Sequence, residues 1–379
     1  TTLAKMVREH KRKCRQDQRD RLESKLQEAE AAASKHDAQG LYRIVRSLER
    51  GVSRPRVQLR GSQGELLGPD EEVQCLLAYS SEIFARDPDM TWAASITDPL
   101  QITAAELKQG LQRLGARKAV PKHCAPSVAW KVCSEVVTQQ LAGHLQQQHP
   151  AGSSFHLEDD FRNADMAWIP KPGKQPSKPE NLRPLGILPP PAKCLSRAVA
   201  SRLYEHLRPH FRRLPQFAFA EGRSVQTCLA RVLAHFAEAR SRSEGQRRNI
   251  HARRQGVALE GATGSLTLSL DLRKAFDSIP RAKLYRALTR LGTPSDLLLA
   301  IVRLHEGSVY RLSVSRASAS LRSTTGIKQG DPLAPLLFAA FSLDLMMQAE
   351  EVISPGWVLH NLSGFADDFL VSEHFRTAE

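Results

Sequence analysis

The sequence predicts an α+β fold: a mainly helical N-terminal extension leading into a region of short strands separated by turns. Three observations carry that expectation. Residues 1 to about 50 are rich in Lys, Arg, Glu, Gln, Ala and Leu with little Gly or Pro, a composition that favours helix. From Asp165 the texture changes to DMAWIP, KPGKQPSKPEN and LRPLGIL, which reads as strand, basic turn and strand. Further on, AKCLSRAVASRLYEHLRPHF repeats apolar residues at helical spacing.

Along the chain, residues 1–100 read as a basic helical extension and linker. It holds one long helix, a shorter one after Gly40, and a short hairpin in RVQLRGSQGELLG around Gly61 to Gly64. A helix follows near Asp70 as N-cap. The run Lys11, Arg12, Lys13 and Arg15 has the composition of a nuclear localisation or nucleic-acid patch, although a solvated helix face is the commoner meaning of such a run. Residues 101–164 form a helical segment in which Thr103 and Glu106 have capping-box spacing, followed by the turn-rich VPKHCAPS. Residues 165–379 mix strands and helices. Leu195, Val199, Leu203 and Leu207 mark one helix face, with Lys193, Arg197, Arg202 and Arg208 interleaved. The Arg-rich, polar stretch from Ala239 to Gly264 lacks apolar periodicity and reads as a mobile loop.

A chain of 379 residues with 41% hydrophobic content can bury a sizeable core in two or three folding units. Its net charge of +14 attracts a polyanion, of which nucleic acid is the commonest large example. The six cysteines are scattered without a CxxC pair, which argues against a cysteine zinc module or disulfide framework and fits a reducing compartment. No run reaches the roughly 18 apolar residues of a membrane span, and the first residues lack a signal-peptide core. The expectation is an intracellular protein, nuclear or cytoplasmic, with no membrane partner. A start at Thr1 and an end at Glu379, soon after an acidic motif, suggest a piece of something longer.

The chemistry lies in two acidic motifs and one turn. SLTLSLDLRKAFDSIP reads as a buried strand ending at Asp271, with a helix near Pro280. In GFADDFLVS, Asp367 and Asp368 sit between apolar stretches, as at a hairpin tip. Adjacent carboxylates repel, and hard divalent cations relieve the repulsion, whereas a lone acidic pair in a turn is more often simply solvated. In TGIKQGDPLAPLLF, Asp331 is placed to cap a helix whose first position is Pro332, after a turn of Gln329 and Gly330. Capping or a salt bridge explains Asp277 and Asp331 as well as a chemical role would, so neither is read as a metal ligand.

In their order these segments resemble the palm motifs of reverse transcriptases, and the basic hairpin resembles the fingers motifs. The likeness is to the non-LTR, LINE-type retrotransposons through IPKPGK, ENLRPLGIL, QFAFAEGRS, LDLRKAFDSI, GIKQGDPLAPLLF and FADD, from Trp168 to about Phe369. Upstream, Val120 to Cys124 stand where the family usually has Pro-Gly-Pro-Asp-Gly, and the loop from Ala239 to Gly264 is longer than the resemblance suggests.

The resemblance implies a right-hand polymerase of fingers and palm, with the thumb absent or truncated, within residues 165–379. It implies an RNA-directed DNA polymerase using RNA template, DNA primer and dNTPs, with two Mg²⁺ ions, or Mn²⁺, held by Asp271, Asp367 and Asp368. Arg183 matches the arginine that grips the incoming triphosphate, with Lys171 and Lys174 as further candidates. Phe276 matches the ring beneath the nucleotide sugar, with a core aromatic as the alternative, while Gln329 and Gly330 match residues along the nascent pair and template. A catalytically inactive nucleic-acid-binding remnant, an intron- or retron-type reverse transcriptase and an RNA-dependent RNA polymerase remain alternatives on the sequence alone.

Overall fold

The computed structural model describes residues 2–35, 37–48, 57–88, 100–115, 118–147, 157–256 and 263–376. The chain divides into two compact units, Thr1–Arg56 and Val57–Glu379. The first holds α1 (Thr2–Ser34) and α2 (Ala38–Leu48), the long and the shorter helix that the composition predicts. Arg12, Lys13 and Arg15 are exposed on α1.

The second unit opens on a tight turn bridged between Arg60 and Leu66. Among the described residues, five helices follow: α3 (Pro69–Phe84), α4 (Ala104–Gln112), α5 (Ser127–Val132), α6 (Ser134–Gln147) and α7 (Asp159–Arg162). Asp70 is not the N-cap of α3. Gly68 takes that place, its N–H donating to Glu71 at 2.8 Å, because Pro69 has no N–H and suits the first helical position. Asp70, Glu71 and Glu72 then fill the first turn, where the helix dipole favours acids. On α4 the expected box forms: Thr103 accepts from Glu106 N–H at 3.3 Å, and Thr103 N–H donates to Glu106 at 2.9 Å.

β1 (Ala164–Pro170) and β2 (Leu182–Ile187) pair antiparallel from Asp165↔Ile187 to Pro170↔Leu182, with the basic turn at their tip. α8 (Pro190–Arg213) buries Leu195, Val199, Leu203 and Leu207. α9 (Val225–Arg254) runs through most of the stretch expected to be a loop. Ala, Arg, Glu and Gln favour helix without an apolar face, and no proline interrupts them, so propensity carries this helix where periodicity is silent. Residues 257–262, the end of that stretch, lie outside the described residues.

β3 (Thr263–Asp271), α10 (Ala275–Ser278), α11 (Arg281–Arg290) and α12 (Ser295–His305) come next. They are followed by β4 (Val309–Val314), β5 (Ala317–Arg322), α13 (Ala334–Val352), α14 (Trp357–Asn361), β6 (Leu362–Phe365) and β7 (Asp368–Arg376). One sheet has the order β2-β1-β4-β5 and the other β3-β7-β6. β3 is not the buried strand the sequence suggests, since Leu266 is 64% exposed and Leu268 50%. It is an edge strand with β7 on one side, so period-2 apolar residues here mark a sheet face without marking burial. The core joins α3, α4, α8, α11, α12 and α13 through residues such as Leu76, Leu107, Leu203, Leu284, Ile301 and Leu337.

Candidate active site

The antiparallel ladder makes Asp271, the last residue of β3, the direct partner of Asp368, the first residue of β7. On the other side Phe365 pairs with Asp368, leaving Ala366 and Asp367 as a two-residue turn. Leu272 N–H donates to Asp367 O at 3.4 Å. The three carboxylates therefore share one end of a sheet, with Asp271 and Asp368 exposed and Asp367 half-buried. The Asp368 carboxyl is pushed above its ordinary value by burial first, then by the charges of Asp367 and Asp271. An all-oxygen, mutually repelling donor set fits hard divalent cations. The trio does not close into a nest around one point: among the described residues, the group whose metal-ligating atoms gather within 4.8 Å is His235, Glu238 and His374.

Ala366 adopts φ 54, a left-handed conformation that costs a residue with a Cβ about 1–2 kcal/mol. Gln216, fully buried, holds it there. Its Oε1 accepts from Ala366 N–H at 3.1 Å and from Ala218 N–H at 3.0 Å, while Nε2 donates to Ala366 O at 3.2 Å and Ser342 Oγ at 3.0 Å. Phe217 N–H also donates to Gly364 O at 2.8 Å, and Gly364 N–H to Pro215 O at 2.9 Å. QFAFAEGRS thus braces the acidic turn from behind. The segment is visible in the sequence, but nothing in its composition announces that role.

A cleft of about 1050 Å³ opens beside the carboxylates. Its walls bring together Lys171, Lys174, Arg183, Asp271, Phe276, Gln329 and Asp367 from segments far apart in sequence. Asp368 does not line it. Gly330 lines a neighbouring cleft of about 730 Å³, which shares Phe276 and Gln329. Arg183 is exposed on β2, and Lys171 Nζ donates to Glu180 O at 2.7 Å, which fixes that ammonium on the wall. Phe276 stacks on Phe338 with centroids 4.8 Å apart and planes at 18°. Its ring is anchored in the core while bordering both clefts.

Gln329 is oriented from both ends of the residue. Its Nε2 donates to both Asp277 oxygens at 2.9 Å, and its carbonyl accepts from Gly186 N–H at 2.6 Å. Burial pushes the Asp277 carboxyl up to about 6, against the Gln329 hydrogen bond and the charges of Lys274, Lys171 and Arg183, which lower it. Gly330 has φ 104, and a Cβ there would stand 2.3 Å from Gly186 O, so only glycine fits. Asp331 bonds the Leu333 N–H at 2.9 Å within a turn, and α13 begins at Ala334 rather than at Pro332. Two buried cations escaped the sequence reading. Arg281 donates to the carbonyls of Gly326, His305 and Ser323, and Lys328 Nζ donates to Leu304 O at 2.6 Å, its ammonium lowered to about 7 by burial. Together they tie the loop before Gln329 to α11 and α12, and lysine or arginine in a polar-looking segment gives no hint of burial.

Residues 169–377 match the family described as reverse transcriptase (RNA-dependent DNA polymerase). Among curated proteins, the chain is 28% identical over 224 residues to a retrovirus-related Pol polyprotein from type-1 retrotransposable element R2 of Popillia japonica. That match covers 58% of this chain and 28% of the relative. It is 24% identical over 247 residues to the RNA-directed DNA polymerase from mobile element jockey of Drosophila melanogaster, covering 64% of this chain and 24% of the relative. The chain thus spans about a quarter of the length of these relatives. Among solved structures, an apo telomerase from Candida tropicalis truncated from its C-terminal domain superposes with a TM-score of 0.38 at 11% identity, covering 67% of this chain and 52% of that one. With the family description matching more than half of its length, the chain belongs to the reverse transcriptase family, on the side of the non-LTR retrotransposons.

Proposed function

We propose that this chain is the catalytic portion of an RNA-directed DNA polymerase, adding dNTPs to a primer 3′ hydroxyl on an RNA template. The convergence of Lys171, Lys174, Arg183, Phe276 and Gln329 beside Asp271 and Asp367 in one cleft carries this reading. Asp271, Asp367 and Asp368 are the residues that would hold two Mg²⁺ ions, which would supply the charge that acidifies the 3′ hydroxyl and offsets the negative charge of the leaving pyrophosphate. Arg183 grips the triphosphate through its planar fork, and Lys171 and Lys174 add positive charge. Phe276 stands beneath the sugar and excludes a 2′ hydroxyl sterically, supported by its anchorage on Phe338. Gln329, fixed by Asp277, and Gly330 line the nascent pair and template strand. In this scheme residues 101–164 lead into the fingers, and 165–379 hold fingers and palm.

Primer extension on an RNA template with dNTPs and Mg²⁺ is the test. Asp368→Asn is expected to lower the rate by about a hundredfold or more, with the far-UV spectrum unchanged. Extension by that variant at the wild-type rate would overturn the reading. Phe276→Ala is expected to raise NTP use relative to dNTP use, and an unchanged ratio would remove Phe276 from sugar selection.

A further inference from the structure

A second cluster of ligating side chains lies away from the acidic turn, where α9 meets β7. His235 and Glu238 are three residues apart on α9 and so share a face. His374, six residues beyond Asp368 on β7, stands against them. One ligating atom from each of the three lies within 4.8 Å of the others. The two imidazoles have centroids 6.4 Å apart, and His374 Nε2 lies 3.5 Å from a Glu238 oxygen. The His374 side chain is only 11% exposed. His235 Nε2 and both ring nitrogens of His374 are buried without a hydrogen-bond partner. Buried polar atoms are normally satisfied, so a buried ring nitrogen on each histidine, with the Glu238 carboxylate nearby at 3.5 Å from His374 Nε2, leaves a place for a further partner.

We propose that His235, Glu238 and His374 form a binding site for a divalent transition-metal ion of the zinc class. Two imidazole nitrogens and a carboxylate oxygen suit such an ion, whereas Mg²⁺ and Ca²⁺ take oxygen donors. Binding needs neutral imidazoles. The proton affinity of His235 is lowered by burial first, then by Arg231 and His374, with Glu238 acting the other way. Arg242 donates to Glu238 at 2.5 Å, so the carboxylate must turn from that partner as the ligands close on the ion. Three protein ligands leave a fourth position for water. A bound ion would staple α9 to the strand whose other end carries Asp368. Cysteine spacing is silent about such a site, because it uses no thiol.

The test uses the full chain, purified without a histidine tag and stripped with a chelator, in millimolar Mg²⁺ so that the all-oxygen carboxylates are already occupied. Zn²⁺ is expected to bind one per chain and raise the melting temperature. Co²⁺ is expected to give visible d–d bands without the thiolate charge-transfer band that cysteine ligation produces. His235→Ala and His374→Ala should weaken binding by at least about tenfold, while Asp368→Asn and His360→Ala, the latter at an exposed α14 histidine outside the cluster, leave it unchanged. Glu238→Gln, at an exposed position that should not disturb folding, should abolish the Zn²⁺-dependent melting shift. Stoichiometric binding that survives in both histidine variants, or binding lost equally in His360→Ala, would overturn the proposal, as would no Zn²⁺ retained by the wild type. None of these outcomes bears on polymerase activity, so this site and the proposed function fail independently.

Discussion

At the scale of single residues, Gln216 fixes the turn that carries Asp367, and Asp277 fixes the Gln329 side chain. Gln216→Leu keeps the volume but leaves Ala366 N–H, Ala366 O and Ala218 N–H without this partner, while Ser342 Oγ keeps its bond to Ala339 O. Buried groups stripped of partners cost about 1–3 kcal/mol each before relaxation. The expected outcome is a loss of about 2–4 kcal/mol in urea unfolding and a raised Mg²⁺ requirement for extension, because the turn carrying Asp367 is no longer fixed. A normal Mg²⁺ requirement in a folded variant would remove Gln216 from positioning. Asp277 gives a prediction with a definite sign. Its carboxyl sits near 3.8 when unfolded and about 6 when folded, so between those values the folded chain holds a proton that the unfolded chain releases. Stability therefore falls as pH rises through that window, and a cost of about 3 kcal/mol persists above it. Asp277→Asn should be more stable than wild type above pH 6, with the advantage vanishing below pH 4. Parallel unfolding midpoints from pH 4 to 7 would show that Asp277 is not protonated in that window.

At the scale of elements, the crossing of α4 on α8 shows how tightly sequence is read by packing. Gly110 lies where a Cβ would stand 2.9 Å from Cys194 O, and Arg202 clamps the same crossing through Glu106 at 2.7 and 2.9 Å. Arg202 holds the Glu106 carboxyl down at about 2. Gly110→Val is expected to cost about 1–3 kcal/mol by forcing the helices apart, visible as a lower thermal midpoint, and an unchanged midpoint would mean that the crossing yields freely. α4 itself was legible from Thr103 and Glu106, as were the β1–β2 hairpin and α8, since capping and apolar period are local signals. α9 was not, because its part after Ala239 is almost wholly polar and leaves no apolar period to detect. The exposure of β3 was also hidden: Leu266, Leu268 and Leu270 alternate as a half-buried strand would, and only its place at the sheet edge decides otherwise. Of the candidate site, the acids and the Gln329 turn were readable as motifs. Gln216, Arg281, Lys328 and the meeting of His235 with His374 depend on contacts across more than twenty residues of chain, which no local pattern encodes.

At the scale of the whole molecule, a net charge of +14 makes nucleic-acid affinity expected but uninformative about where the strand lies. Salt dependence separates the two. A charge that meets a phosphate releases a counterion and adds about 0.7 to 0.9 to the slope of log affinity against log salt. A charge that acts only through the general field changes affinity with little change in slope. Lys171 and Lys174 line the wall of the carboxylate cleft, so Lys171→Ala with Lys174→Ala should lower the slope for RNA by about 1 to 2. Asp368→Asn removes a negative charge from the same region without removing a phosphate contact. It should tighten binding modestly and leave the slope as it was. Filter binding of one RNA across a salt series, with wild type and both variants side by side, checks the pair of expectations. A double-lysine variant that binds more weakly at every salt concentration with an unchanged slope would mean that the hairpin tip attracts the strand from a distance, and that the phosphate track runs along a different wall of the cleft.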